Sequence, residues 1–165
     1  MRKSIEFVGL GFLVALYWIT WSALTGPQRL PDRIPTHFDI SGTPNAWGPP
    51  STLWLLPIIG TVLYIIITLI ASIPATFSYP VRVTPLSLPR IQDETRNMVS
   101  WLKAEIACLF TWIQWTIIQT ARSSELRMSA WMIPIFMTVV IGTVCWHLVT
   151  IIRIAKSGRD SQGTV

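Results

Sequence analysis

The sequence has 165 residues, within the size of one domain, and 51% of them are hydrophobic while only 13% are charged, where roughly a quarter would be usual in a soluble domain. Nine tryptophans and a mean hydropathy of +0.50 point the same way, to lipid as the solvent. The net charge of +5 does not signal nucleic acid, because the Lys and Arg residues stand in twos and threes beside apolar runs and form no basic stripe.

In chain order, four apolar runs stand out: Phe7 to Leu24, Thr52 to Pro74, roughly Leu102 to Ala121, and Trp131 to Ile152. Each is close to the ~20 residues that a helix needs to cross the hydrocarbon core. The first run ends near the small residues of Ser22 to Gly26, as a cleaved signal would. Its length, with Tyr17, Trp18 and Trp21, suits a retained span with an interfacial anchor better. Cytoplasmic flanks carry the excess of Lys and Arg. Arg2, Lys3, Arg82, Arg90, Arg96, Lys103, Arg153, Lys156 and Arg159 fall on one side, and Arg29, Arg33, Arg122 and Arg127 on the other. The expected fold is therefore an all-α integral membrane protein with four transmembrane helices, both termini in the cytoplasm, and a long structured outer loop between helices 1 and 2.

The connections differ in kind. Residues 26–51 form a Pro- and Gly-rich outer loop, and 75–100 form an inner loop with Pro80, Pro85 and Pro89. Asp93 and Glu94 suit a helix N-terminus, so the helix holding the third span is expected to begin near Ile91. Arg122 to Ser129 is a short outer turn, which makes the third and fourth helices antiparallel neighbours. Gly11 with Ala15, and Thr138 with Gly142, have the small-xxx-small spacing of close helix contacts. Pro57 and Pro134 fall in first helical turns, where proline is tolerated. Cys108 and Cys145 are expected as buried small apolar residues, and 157–165 as a disordered tail.

The outer loop holds the most distinctive segment, Leu30-Pro31-Asp32-Arg33-Ile34-Pro35-Thr36-His37-Phe38-Asp39-Ile40-Ser41-Gly42-Thr43-Pro44-Asn45-Ala46-Trp47-Gly48. Thr36, Phe38 and Ile40 alternate with His37 and Asp39 as in a half-buried strand. Ser41-Gly42 then supplies a turn, and Thr43-Pro44-Asn45 is expected to keep the chain out of regular structure. Trp47 and Trp54 suit the headgroup level. His37 could titrate near neutral pH or ligate a metal, but zinc needs three or four protein ligands and the loop offers only Asp32 and Asp39 beside it. A structural hydrogen bond is the plainer role.

With Ser51 to Pro57, this segment closely resembles the signature of a bacterial membrane domain of unknown function, found at the N-terminus of the immunity and signalling protein of sporulation-delay toxin systems. The resemblance is carried by Pro31, Ile34, Pro35, Thr36, His37, Phe38, Gly42, Trp47 and Gly48. It implies a shared fold, here in a short stand-alone form, and a place in the bacterial inner membrane.

In the third span, Trp101, Glu105, Cys108, Trp112, Trp115 and Gln119 recur at intervals of four and three, which sets them on one helix stripe. That stripe is expected to face the bundle, leaving Leu109, Ile113 and Ile117 to lipid. Glu105 and His147 fall at matching depths on neighbouring helices and are expected to interact, either as a polar clasp or as a proton-responsive pair. Lys103 is expected to snorkel to the cytoplasm.

No nucleotide loop, serine elbow or zinc helix appears, so no cofactor and no soluble-type enzyme activity are expected. The leading reading is a non-enzymatic membrane protein of the immunity or signalling type, recognising a peptide, lipid or partner protein at its outer face. A small transporter using the polar stripe ranks second, and a membrane enzyme acting on lipid or cell-wall precursors ranks last. A unit this short is also a candidate for homo-oligomerisation.

Overall fold

Long apolar runs have one open-ended solution in lipid, the helix, because each N–H there finds a carbonyl within its own segment. The computed structural model describes residues 2–39, 41–73, 79, 81, 83–123 and 131–160, with backbone alone at 159 and 160. Among them are four helices: α1 (Arg2–Thr25), α2 (Leu55–Ser72), α3 (Leu88–Arg122) and α4 (Met132–Asp160). Two short strands, β1 (Ile34–Phe38) and β2 (Pro44–Gly48), and a 3₁₀ turn at Pro50–Trp54 connect α1 to α2.

Three helical segments, Arg2–Thr25, Pro50–Ser72 and Met132–Gly158, are long and apolar enough to cross a membrane. The chain is thus mostly helical and has the character of a multi-pass membrane protein. The remaining helix, α3, is the least apolar, because Glu105, Gln114, Gln119 and several threonines interrupt its hydrophobic residues. It can afford them through its position: α3 packs against α1, α2, α4 and β1.

Hydrogen bonds fix the directions of the helices. Ser100 bonds to Glu6, Thr111 Oγ1 donates to the Phe12 carbonyl at 3.0 Å, and Gln114 reaches Thr20, so α1 and α3 run parallel. Tyr64 meets Glu6 while Leu53, just before α2, meets Gln114, so α2 runs the other way. His147 meets Glu94, and Ile91 clusters with Ile151 and Ala155, so α4 is antiparallel to α3 as expected from the sequence. One end of the bundle, the terminal end, therefore gathers the starts of α1 and α3 and the ends of α2 and α4. The hairpin β1–β2 covers the opposite end.

The close approaches are not where the small-residue spacing put them. A methyl added at Gly11 or Gly142 would meet nothing within 4 Å. At Gly9 it would stand 3.1 Å from the Tyr64 ring and 3.4 Å from Ala104 Cα, and at Gly60 it would stand 3.1 Å from Phe110. The contacts converge on α3 and its neighbours, so the glycines that matter are those facing it. Cys145 likewise lies exposed on α4, and Cys108 is half-buried.

Two boundaries also differ from expectation. α3 begins at Leu88, earlier than Ile91, so Asp93 and Glu94 lie beyond its first turn; Ser87 and Thr84 close that end with reciprocal bonds, each backbone N–H donating to the other's hydroxyl. α4 continues to Asp160, so 157–160 are helical. Residues 161–165, most of the expected outer turn (124–130) and 74–78, 80 and 82 of the inner loop lie outside the described residues.

This packing makes a direct contrast. Gly60→Leu should lower stability by about 1–3 kcal/mol through overpacking, whereas Gly11→Leu should stay within about 0.5 kcal/mol of the parent. Thermal unfolding of both purified variants in the same detergent checks this.

Candidate functional site

The hairpin is built from the motif residues, and the structure divides them into two groups. Ile34 is fully buried, in a cluster with Ala23, Leu53, Ile117 and Ile118, and Phe38 packs against the same cluster. Pro35 is fully buried too. The alternation expected from Thr36 onward is broken, since Thr36 is exposed like His37, and the cause is local: the β1–β2 register shifts between Pro35 and His37 and again between His37 and Phe38. Such bulges re-aim side chains. Thr36, His37, Asn45 and Trp47 consequently point outward, as does Pro31 in the preceding loop.

Segment 43–45, expected to stay irregular, instead starts the second strand, with Pro44 opposite Phe38. The reason is the clamp at Asp39. Its Oδ1 accepts from the Ser41 N–H at 2.9 Å, the Ser41 hydroxyl at 2.6 Å and the Thr43 N–H at 2.9 Å, and its own N–H donates to the Thr43 carbonyl. Gly42 takes φ 78°, a left-handed conformation that favours glycine. Gly48 is required by space, since a methyl there would stand 2.9 Å from Thr36 Cγ2. Ile40, the last residue of the expected alternation, lies outside the described residues.

His37 Nδ1–H donates to Asn45 Oδ1 across the strands, which is the structural hydrogen bond anticipated for it; Asn45 as its partner was not. Arg33 donates to the Trp47 carbonyl at 3.3 Å. Among the described residues no three His, Cys, Asp or Glu side chains converge as a metal site would need. Beneath the hairpin, Gln114 is fully buried and donates from Nε2 to Thr20 Oγ1 and the Leu53 carbonyl, each at 2.8 Å. It ties α1, α3 and the entry to α2 together directly under β1.

The terminal end carries a second constellation that sequence reasoning missed. Lys103 does not snorkel: it is 4% exposed, and its Nζ lies 2.8 Å from both oxygens of Glu6. Nζ also donates to Thr68 Oγ1 at 2.9 Å and sits 4.4 Å from the centre of the Tyr64 ring. Glu6 further accepts from the Ser100 and Tyr64 hydroxyls, both at 2.6 Å. A signal was available. Glu6 and Lys103 lie near the starts of the first and third apolar runs, which the expected topology makes parallel, so that topology puts them at one depth, and opposite charges at one depth in lipid are drawn to each other.

The stripe of α3 needs correction as well. Trp101 and Trp115 are exposed, while Ile117 is buried and Ile113 packs on the hairpin cluster. The buried line runs instead through Ile91, Lys103, Ala107, Gln114 and Ile118. Periodicity correctly grouped the stripe residues, but a central helix is covered on several sides, and the tryptophans fall at its open edge. Glu105 and His147 do not bond to each other. Glu105 Oε1 accepts from the Thr143 hydroxyl, whereas His147, 4% exposed, shares a 2.8 Å hydrogen bond with Glu94. Glu94, in the N-terminal part of α3, takes the place expected for Glu105 as the partner of His147.

Residues 12–61 match the model of a family described as a domain of unknown function, DUF1648. The match supports a membrane family of that kind for the segment running from α1 through the hairpin into α2, which is less than half of the chain. No curated protein and no solved structure matches the chain.

The Glu6–Lys103 contact predicts an asymmetry between single and double substitutions. Glu6→Gln should destabilise the protein by about 3 kcal/mol, because it leaves a buried ammonium without its counter-charge, while Glu6→Leu combined with Lys103→Met should recover most of that loss. Denaturant titration of the three proteins in detergent micelles measures it.

Proposed function

We propose that this chain is a non-enzymatic bacterial membrane protein of the immunity or signalling type, which recognises a peptide, lipid or partner protein through the hairpin. In this reading all four helices cross the inner membrane, both termini are cytoplasmic, and the hairpin stands at the outer face. The alternation of helix directions and the gathering of basic residues at the terminal end support that placement. The immunity link rests on resemblance in the Ile34-Pro35-Thr36-His37-Phe38 motif.

The observation that carries the proposal is the division of the hairpin into a buried and an outward face. Ile34 and Pro35 lock it to the bundle, and the bonds of Asp39, His37 and Arg33 brace it internally. Thr36, Asn45 and Trp47 are thereby presented on a braced surface, with Trp47 49% exposed. A preorganised surface loses little conformational entropy when a partner binds, and an exposed tryptophan is a common anchor for one.

Photocrosslinking from position 37 in living cells should capture a discrete species, and Trp47→Ala should weaken its binding about thirtyfold, as loss of an interface anchor worth ~2 kcal/mol would. Membrane insertion of the variant should be unchanged. Capture indistinguishable from that obtained at the outward-facing Val139 of α4, and insensitive to Trp47→Ala, overturns the proposal.

A further inference from the structure

The terminal end contains a cavity of about 370 Å³ between the start of α1, the end of α2 and α3. Its wall includes Arg2, Arg96, Lys103, Ser72, Ser100 and Glu6. We propose that it binds the phosphate group of an anionic phospholipid. The inference rests on membrane placement of the bundle and is independent of what the hairpin recognises.

Charge is the first argument. The carboxylate of Glu6 is already engaged by Lys103, Ser100 and Tyr64, so that ion pair is locally neutral. Asp93 lines an adjoining cavity with Arg2, Lys3 and Asn97, so the basic residues at this end outnumber the acidic one. Arg2 and Arg96 remain, and among the described residues the ion pairs are Lys103 with Glu6 and His147 with Glu94, neither of which uses a guanidinium. Two guanidiniums facing one cavity match a phosphate, whose oxygens accept their paired N–H groups.

Shape and surroundings favour a lipid as the carrier of that phosphate. The volume falls in the range of small-ligand sites, large enough for a headgroup rather than a bare ion. Neighbours in sequence of the wall residues, Phe7 on α1 and Leu69, Ile70 and Ile73 at the end of α2, are exposed and apolar. They give acyl chains a surface to follow once the headgroup is seated. Basic pockets between transmembrane helices at the level of the headgroups recognise anionic lipids in this way.

The test uses the full chain purified in a neutral detergent, with bound lipid read by native mass spectrometry. Phosphatidylglycerol should be retained in preference to phosphatidylcholine. Arg2→Gln with Arg96→Gln should weaken phosphatidylglycerol binding about 25-fold, from roughly fivefold per basic residue, whereas Arg90→Gln with Arg153→Gln, outside the cavity, should not. Competition by millimolar inorganic phosphate supports the phosphate chemistry. Binding of inorganic phosphate without any preference for phosphatidylglycerol overturns the lipid assignment. Equal phosphatidylglycerol binding by the parent and the Arg2/Arg96 variant overturns the site. If that variant does not fold, Ser72→Phe decides, because it fills the cavity without altering charge: undiminished binding then overturns the proposal.

Discussion

A polar side chain on a helix in hydrocarbon has no water to turn to, so it must be satisfied by another part of the protein. α3 meets this constraint along much of its length, and the other elements are arranged around its solutions. Lys103 draws Glu6 of α1 and Thr68 of α2 to one level. Gln114 draws Thr20 and the Leu53 carbonyl to another. Thr111 bonds to the Phe12 carbonyl between them. Three polar contacts at successive heights fix the register of α1 on α3, which apolar packing alone would leave free to slide, since lipid tails compete equally well for a leucine.

α4 is held differently. Two side-chain contacts, Thr143 with Glu105 and His147 with Glu94, attach it to α3, and the cluster of Ile91, Ile151 and Ala155 closes the terminal end. The rest of its surface is exposed and apolar from Trp131 to Ile152, as a helix on the rim of a membrane bundle should be. The hairpin belongs to the other three helices: its anchor Ile34 packs on Ala23 of α1, Leu53 before α2, and Ile117 and Ile118 of α3. The family match, which begins in α1 and ends in α2, takes in the hairpin with Ala23 and Leu53 of this cluster but not Ile117 and Ile118 of α3.

What the sequence disclosed follows from how local each signal is. The four apolar runs, the turn at Ser41-Gly42 and the adjacency of α3 and α4 depend on composition or on short spacing, and they were legible. The second strand was not, because Pro44 argues against a strand unless one knows that Asp39 clamps the turn and that a two-stranded hairpin leaves an edge where proline is tolerated. Glu6 and Lys103 were passed over because each, taken alone, sits near enough to a span end to reach water. Their pairing follows only when the parallel course of the first and third apolar runs, which the expected topology already implied, is combined with their common depth. Gln114, one of two glutamines in the span, was passed over too, because its burial depends on β1 lying above it. Gly9 and Gly60 lack a small-xxx-small partner pattern, so their role appears only with their neighbours in place.

The length of α3 explains why the terminal end is more than a set of helix ends. Its 35 residues extend about 52 Å at 1.5 Å per residue, against a hydrocarbon core of about 30 Å. If the segment from Leu102 onward fills the core, about 20 Å of helix stands clear of it, carrying Arg90, Asp93, Glu94 and Arg96. α4 extends alongside through Asp160, so the protruding pair buries an apolar seam of its own, with Tyr79, Val81 and Val83 packed against it. Lys103 then sits where the protruding part meets the core, at the depth where an ammonium could have reached water. It is held inward because Glu6 supplies charge and Tyr64 a ring face on the same side, and a space is left at that level between α1, α2 and α3.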